Sequence, residues 1–181
     1  MPNRPPSPEP LPAPVTDAHT HLESTTVKGG LSADEAVPLA AAVNVTRLVD
    51  VGCDVASSRS AIVNAENHPG VVATVALHPN DAARAGASLG EHLRSIEALV
   101  TASERVRAVG ETGLDFYRTR DEAGQGRQRV SFAAHIAFAK ELLVDTWAHS
   151  YQLFHRLLLG VEIVLGSAAG KAALGSIDPY E

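Results

Sequence analysis

Two imidazoles near the start of the chain and one carboxylate near its middle are the residues best placed to do chemistry. In Val15-Thr16-Asp17-Ala18-His19-Thr20-His21-Leu22 a short apolar run closes on two histidines spaced i and i+2. In a strand that spacing puts both rings on one face, so His19 and His21 can converge on a single cation. Far downstream, Arg105-Val106-Arg107-Ala108-Val109-Gly110-Glu111 is an apolar run that ends in glycine and then presents an acid. Two further apolar runs end at His78-Pro79 and at His149. Each residue has a plain structural reading: a chance pair on a strand edge, a helix-cap carboxylate, a loop histidine, a core histidine bonded to backbone. Together His19, His21, Glu111 and His149 occupy equivalent places in repeated strand-to-loop units, and that shared position is what singles them out. His78 is expected to line the same pocket. Asp115 and Arg118, just after the glutamate, could position a substrate or be solvated loop charges.

The elements that must carry these residues can be traced by periodicity. Strands are expected at 15–18, 45–53, 71–77, 106–110, 143–148 and 161–165, each a short apolar run bounded by turn residues. Helical stretches are expected between them. The first runs from the capping-box spacing Ser32-Ala33-Asp34-Glu35 to Val43, with Pro38 expected to kink it or delay its start. Others cover 57–67, 88–103, 130–142 and 151–159. In 88–103 Leu89, Leu93, Ile96 and Val100 keep a helical spacing, and in 130–142 Val130, Ala134 and Phe138 form a stripe. Strand and helix alternating in this way argue for a parallel sheet with crossover helices. Both a closed (β/α) barrel and an open doubly wound sheet collect their ligands at the C-terminal ends of such strands, so periodicity leaves the two open.

Composition narrows the field. The chain has 181 residues with 45% hydrophobic content, enough for one domain with a real core. A formal charge of -6 supplies no global field for polyanions, so phosphate would have to meet a metal or local arginines. The lone Cys53 excludes an internal disulfide and Cys-rich zinc modules, suits a reducing compartment, and is read as a small buried residue. With no signal-like segment and no apolar run near the ~20 residues of a membrane span, a cytoplasmic protein is expected, without membrane contact. Seven of the 11 prolines fall in residues 1–14, an expected disordered tail. The folded unit is expected over 15–165, with a low-order tail over 166–181. Gly166-Ser167-Ala168-Ala169-Gly170-Lys171-Ala172 is one residue short of a phosphate loop and lacks its Ser or Thr, and is set aside.

Asp17-Ala18-His19-Thr20-His21-Leu22, Leu77-His78-Pro79, Gly110-Glu111-Thr112-Gly113-Leu114-Asp115-Phe116-Tyr117-Arg118 and the pair Gln128 and Phe132 resemble the TatD family of metal-dependent deoxyribonucleases over about residues 15–142. The resemblance implies a TIM-barrel-like (β/α) metal-dependent hydrolase fold that cleaves phosphodiester bonds in DNA by metal-activated water. It implies divalent cations, usually two, drawn from Zn, Mn or Mg. His19 and His21 would hold one, Glu111 would bridge both, and His149 would be a further ligand. After Leu142 the pattern changes. Tyr151-Gln152 stands where the family has Arg-Asp, and the later His-Cys-Phe-Ser-Gly and Glu-Thr-Asp-x-Pro segments have no counterpart, so no catalytic acid or base is assigned. A full barrel takes ~250 residues and eight strands, whereas five or six are expected here. Such an incomplete barrel would expose two sheet edges, favouring self-association. Two other readings stay open: a catalytically inactive, truncated remnant or interaction module, and an amidohydrolase-like ester or amide hydrolase.

Overall fold

Apolar β-branched runs form the centre of the molecule. In a computed structural model that describes residues 6–147, β1 (Val15–Thr20), β2 (Val45–Val51), β3 (Val71–Val75) and β4 (Val106–Val109) make one parallel sheet in the order β1-β2-β3-β4. Sequential strands are spatial neighbours and run the same way, so each connection must cross over the sheet face. Helices make those crossings: α1 (Leu22–Gly29) and α2 (Ala33–Ala42) between β1 and β2, α3 (Val55–Asn67) between β2 and β3, and α4 (Pro79–Arg84) with α5 (Leu89–Val100) between β3 and β4. After β4 a long loop leads into α6 (Glu122–Trp147).

Burial follows position in the sheet. Val71, Ala73 and Val75 of the inner strand β3 are fully buried, and Ala76 and Leu77 continue that run towards His78. The outer strand β1 is mostly exposed or half-buried along its length. From the helix layer, Ala61, Ile62 and Ala65 of α3 and Ile96, Leu99 and Val100 of α5 complete the core. The chain divides into two compact units, Met1–Ala139 and Lys140–Glu181, and the features below belong to the first.

The expected strands and helices differ from the observed ones in instructive places. Strand β1 runs on to Thr20, so His19 lies inside it, and His21 is the N-cap of α1, a helix not expected from sequence. Pro38 neither delays nor ends α2, which starts at Ala33 with the Glu35 carboxylate accepting the Ser32 N–H at 3.0 Å. Helix α3 begins at Val55, where Asp54 accepts the Ser57 N–H at 2.7 Å.

The strand expected over 143–148 is not formed: α6 is helical through Trp147. No glycine or proline interrupts the chain between Ala133 and Trp147, and Lys140-Glu141-Leu142 are good helix formers, so nothing there punctuates the helix. The buried stripe of α6 is also turned relative to expectation. Val130 is exposed and Ala134 half-buried, whereas Gln128, Ser131, His135 and Phe138 face inwards. Three of those four are polar, so a search for apolar spacing passes over them. The expected helix at 151–159, the strand at 161–165, the tail at 166–181 and His149 lie outside the described residues. So does the start of the proline-rich segment, although Leu11 already hydrogen-bonds Val43 and Asn44 beside the first strand. Within the described residues no helix is long and apolar enough to cross a membrane.

Candidate metal centre at the C-terminal ends of the strands

The end of β2 is the point from which the site is built. The Val51 carbonyl accepts from His21 Nδ1 at 2.8 Å, and the Cys53 carbonyl accepts the His78 N–H at 2.7 Å. Between them, the Gly52 N–H donates to the Thr74 carbonyl at 3.1 Å. Gly52 cannot be larger, because a Cβ there would lie 2.6 Å from Ser58 Cα. Two residues before Gly52, buried Asp50 accepts the Leu22 N–H at 3.0 Å through one oxygen and the Asn64 side-chain amide at 2.8 Å through the other. Asp50 thereby ties the first turn of α1, adjacent to His21, to both β2 and α3.

Glu111 arrives from β4. The Gly110 N–H donates to the Val75 carbonyl at 3.1 Å and the Thr74 hydroxyl donates to the Gly110 carbonyl, which fixes the peptide before the acid. The Gly110–Glu111 peptide is cis, and Gly113 takes a φ of 138°, a value that L side chains rarely adopt. Glu111 Oε2 lies 3.2 Å from His19 Nε2 and 3.9 Å from His21 Nε2, and the two Nε2 atoms are 3.2 Å apart. Its second oxygen, Oε1, lies 3.6 Å from His78 Nε2.

Hydrogen bonding assigns different chemistry to the rings. Because the Val51 carbonyl can only accept, His21 carries its proton on Nδ1 and leaves the Nε2 lone pair free to coordinate, the usual arrangement of a metal-binding histidine. In His78 the reverse holds. Its Nδ1 accepts the Asn80 N–H at 3.2 Å, so the neutral ring presents an Nε2–H donor beside Glu111.

The donor set fits a divalent ion. The nitrogen, nitrogen and oxygen of His19, His21 and Glu111 lie within 4.8 Å of one another. From the three separations 3.2, 3.2 and 3.9 Å, the point equidistant from the atoms is about 2.0 Å from each, the ordinary length of a Zn–N or Zn–O bond. Imidazole donors are of the kind that suits Zn²⁺, whereas Mg²⁺ and Mn²⁺ favour oxygen-rich sites. No second group of three such residues occurs among the described ones.

Cys53 faces this cluster. Its thiol lies 3.8 Å from both Glu111 Oε2 and His21 Nδ1. Burial, then the negative charge and hydrogen bond of Glu111, push its pKa up to about 12, so it is a thiol at neutral pH and not a nucleophile. Asp115 and Arg118 turn towards each other. The Asp115 carboxylate accepts the Arg118 N–H at 3.0 Å and its guanidinium at 3.1 Å, and these contacts hold its pKa below the usual carboxylate range. Asp115 is itself held by Gln128, fully buried, whose side-chain oxygen accepts the Asp115 N–H at 2.8 Å.

The structure therefore brings His19, His21, Glu111 and His78 together and pairs Asp115 with Arg118. Of the remaining histidines, His135 is a satisfied core residue. It accepts the Leu77 N–H at 2.9 Å and lies 2.7 Å from the Ser131 carbonyl, and burial lowers its pKa. Asp50 was missed by sequence reasoning, and Gln128 was named only among the residues of the family resemblance, without the role of holding Asp115. Asp50, alone among the residues of β2 in carrying an acid within an apolar run, was the one available signal.

Four parallel strands in sequential order, whose C-terminal ends gather a His-x-His pair and a glutamate, make an α/β protein with a metal-type site. The family model described as TatD related DNase matches residues 16–161, and the chain belongs to the TatD family. It is 39% identical over 141 residues to an uncharacterised metal-dependent hydrolase TatD of Mycobacterium tuberculosis, covering 76% of this chain and 52% of that protein. It is 31% identical over 125 residues to the 3'-5' ssDNA/RNA exonuclease TatD of Citrobacter rodentium, covering 69% and 45%. The chain thus spans about half the length of the curated relatives it matches. Among solved structures, the TatD homologue YJJV of Escherichia coli shares the fold with a TM-score of 0.56 at 23% identity, over 70% of this chain and 47% of that one. An uncharacterised amidohydrolase of Saccharomyces cerevisiae shares it with a TM-score of 0.50 at 20% identity, over 69% and 44%.

Proposed function

We propose that the chain acts in metal-dependent hydrolysis of phosphodiester bonds in single-stranded nucleic acid, DNA in the first instance. The observation that carries this reading is the convergence of His19 Nε2, His21 Nε2 and Glu111 Oε2. The relatives named as ssDNA/RNA exonucleases support the choice of bond. His19, His21 and Glu111 would hold one divalent ion, with His149 a further ligand and the number of ions one or two. Such an ion supplies Lewis acidity towards a phosphoryl oxygen and makes water acidic enough to attack at neutral pH.

The chain's own groups do the rest. The carbonyl of Val51 holds the His21 proton on Nδ1, keeping the coordinating lone pair oriented. Neutral His78 offers its Nε2–H to an oxygen that gains negative charge in the transition state, beside Glu111. Asp115 orients Arg118, which is two-thirds exposed and able to contact a phosphate.

Purified full chain is assayed on single-stranded DNA with Mn²⁺, beside Glu111→Ala. Metal-dependent cleavage that disappears in the variant is the expected result. Equal, metal-independent cleavage by both proteins rejects the proposal, and bound metal without cleavage of DNA or RNA rejects its choice of substrate.

A further inference from the structure

The loop that leaves Glu111 exposes two aromatic rings that the site does not use. Tyr117 is 79% exposed and Phe116 36% exposed. Each ring lies under a guanidinium, with Arg120 Cζ 5.7 Å from the centre of Tyr117 and Arg129 Cζ 5.0 Å from the centre of Phe116. The neighbouring arginines are otherwise engaged: Arg118 pairs with Asp115, and Arg127 donates to the Ala83 carbonyl at 2.7 Å. Arg120 and Arg129 form no ion pair within the described residues.

The base of this loop is firmly held. Gln128 accepts the Asp115 N–H and donates to Thr119 Oγ1 at 2.8 Å, and the Thr119 N–H donates to the Asp115 carbonyl at 3.2 Å. Thr119 and Gln128 are buried, so Phe116 and Tyr117 project from a fixed frame. Exposed aromatic rings held in water gain little for folding beyond these cation–π contacts. Flanked by two cations without carboxylate partners, they match a ligand that is planar and apolar on its faces and anionic at its rim.

Resting on the nuclease reading above, we propose that Tyr117 and Phe116 form a stacking platform for bases of a single strand, with Arg120 and Arg129 meeting its phosphates. Single-strand binding elsewhere combines the same two components, aromatic faces for bases and cations along the backbone. In a chain of formal charge -6 a local pair of guanidinia without carboxylate partners among the described residues is what would admit a polyanion here.

The test is fluorescence anisotropy with a phosphorothioate oligo-dT, which resists cleavage, in Mn²⁺, beside an abasic oligomer of equal length. Tyr117→Ala should weaken oligo-dT binding roughly 5- to 150-fold, the ordinary worth of a stacked base. Tyr117→Phe should bind as wild type, and Tyr117→Ala should leave abasic binding unchanged. Arg120→Ala should weaken both oligomers and reduce the salt slope by about 0.7. Circular dichroism confirms that each variant is folded. Unchanged oligo-dT binding by Tyr117→Ala overturns the platform, as does an equal loss on both oligomers. If wild type cleaves unmodified DNA in a Glu111-dependent way in either of those cases, only the platform fails. If wild type neither binds nor cleaves, the nuclease reading and the platform fall together.

Discussion

Replacing Asp50 by alanine removes both acceptors that join the first turn of α1 to β2 and α3. The buried carboxylate takes the Leu22 N–H at 3.0 Å and the Asn64 amide at 2.8 Å. Hydrogen bonds to a charged group contribute about 1.5–3 kcal/mol each, and Leu22, 3% exposed, would be left with a donor that water cannot reach. Relief of the carboxylate's own burial offsets part of that loss, so a net destabilisation of about 2–4 kcal/mol is expected. Asp50→Asn keeps an acceptor for Leu22, and Asn64 can turn its amide to match, so about 1 kcal/mol is expected. Urea unfolding reads both. With a slope of about 2 kcal/mol/M, the alanine variant's midpoint falls by about 1–2 M. Because Leu22 follows His21, folded Asp50→Ala should also bind Zn²⁺ about 10-fold more weakly by calorimetry, the usual cost of loosening a ligand's support. An alanine variant within about 0.5 kcal/mol of wild type would refute the assignment of Asp50 as the clasp of this corner.

Gly52→Ala puts a methyl group against the Ser58 backbone and should lower stability by about 1–3 kcal/mol in the same urea assay, with Gly52→Ser at least as damaging. Burial depresses the pKa of His135 below its usual 6.5, so the unfolded chain takes up that proton first. Its contribution is complete above about pH 6.5 and is lost as pH falls towards the lower folded value. Between pH 6.5 and 5 the stability of His135→Gln should therefore fall less steeply than that of wild type, and identical slopes would remove His135 as the cause. The high pKa of Cys53 predicts slow reaction with a disulfide reagent at pH 8, where an exposed cysteine reacts readily. Rapid labelling of the folded protein would contradict that reading.

Much of this was legible because the chemistry lies where strands end. The β-branched runs around Leu48, Val75 and Val106 announced their strands, and the residues that follow them, Glu111 and His78, inherit a common face from the parallel topology. His19 and His21 were legible from their two-residue spacing, although His21 leaves the strand and caps a helix. That helix was hidden because Ser24-Thr25-Thr26 have poor helical propensity. Its start depends on Asp50, a partner 28 residues away. The inward face of α6 was hidden for a related reason. Gln128 and His135 are buried because Asp115 and Leu77 supply their hydrogen bonds, and those partners become neighbours only once the sheet has formed.

The most direct test of the central claim is anomalous diffraction at the zinc edge from crystals of the Zn²⁺-loaded protein. The account predicts a peak about 2.0–2.2 Å from His19 Nε2, His21 Nε2 and Glu111 Oε2, and its loss in Glu111→Ala. A peak elsewhere, or one that keeps full occupancy without Glu111, would contradict it.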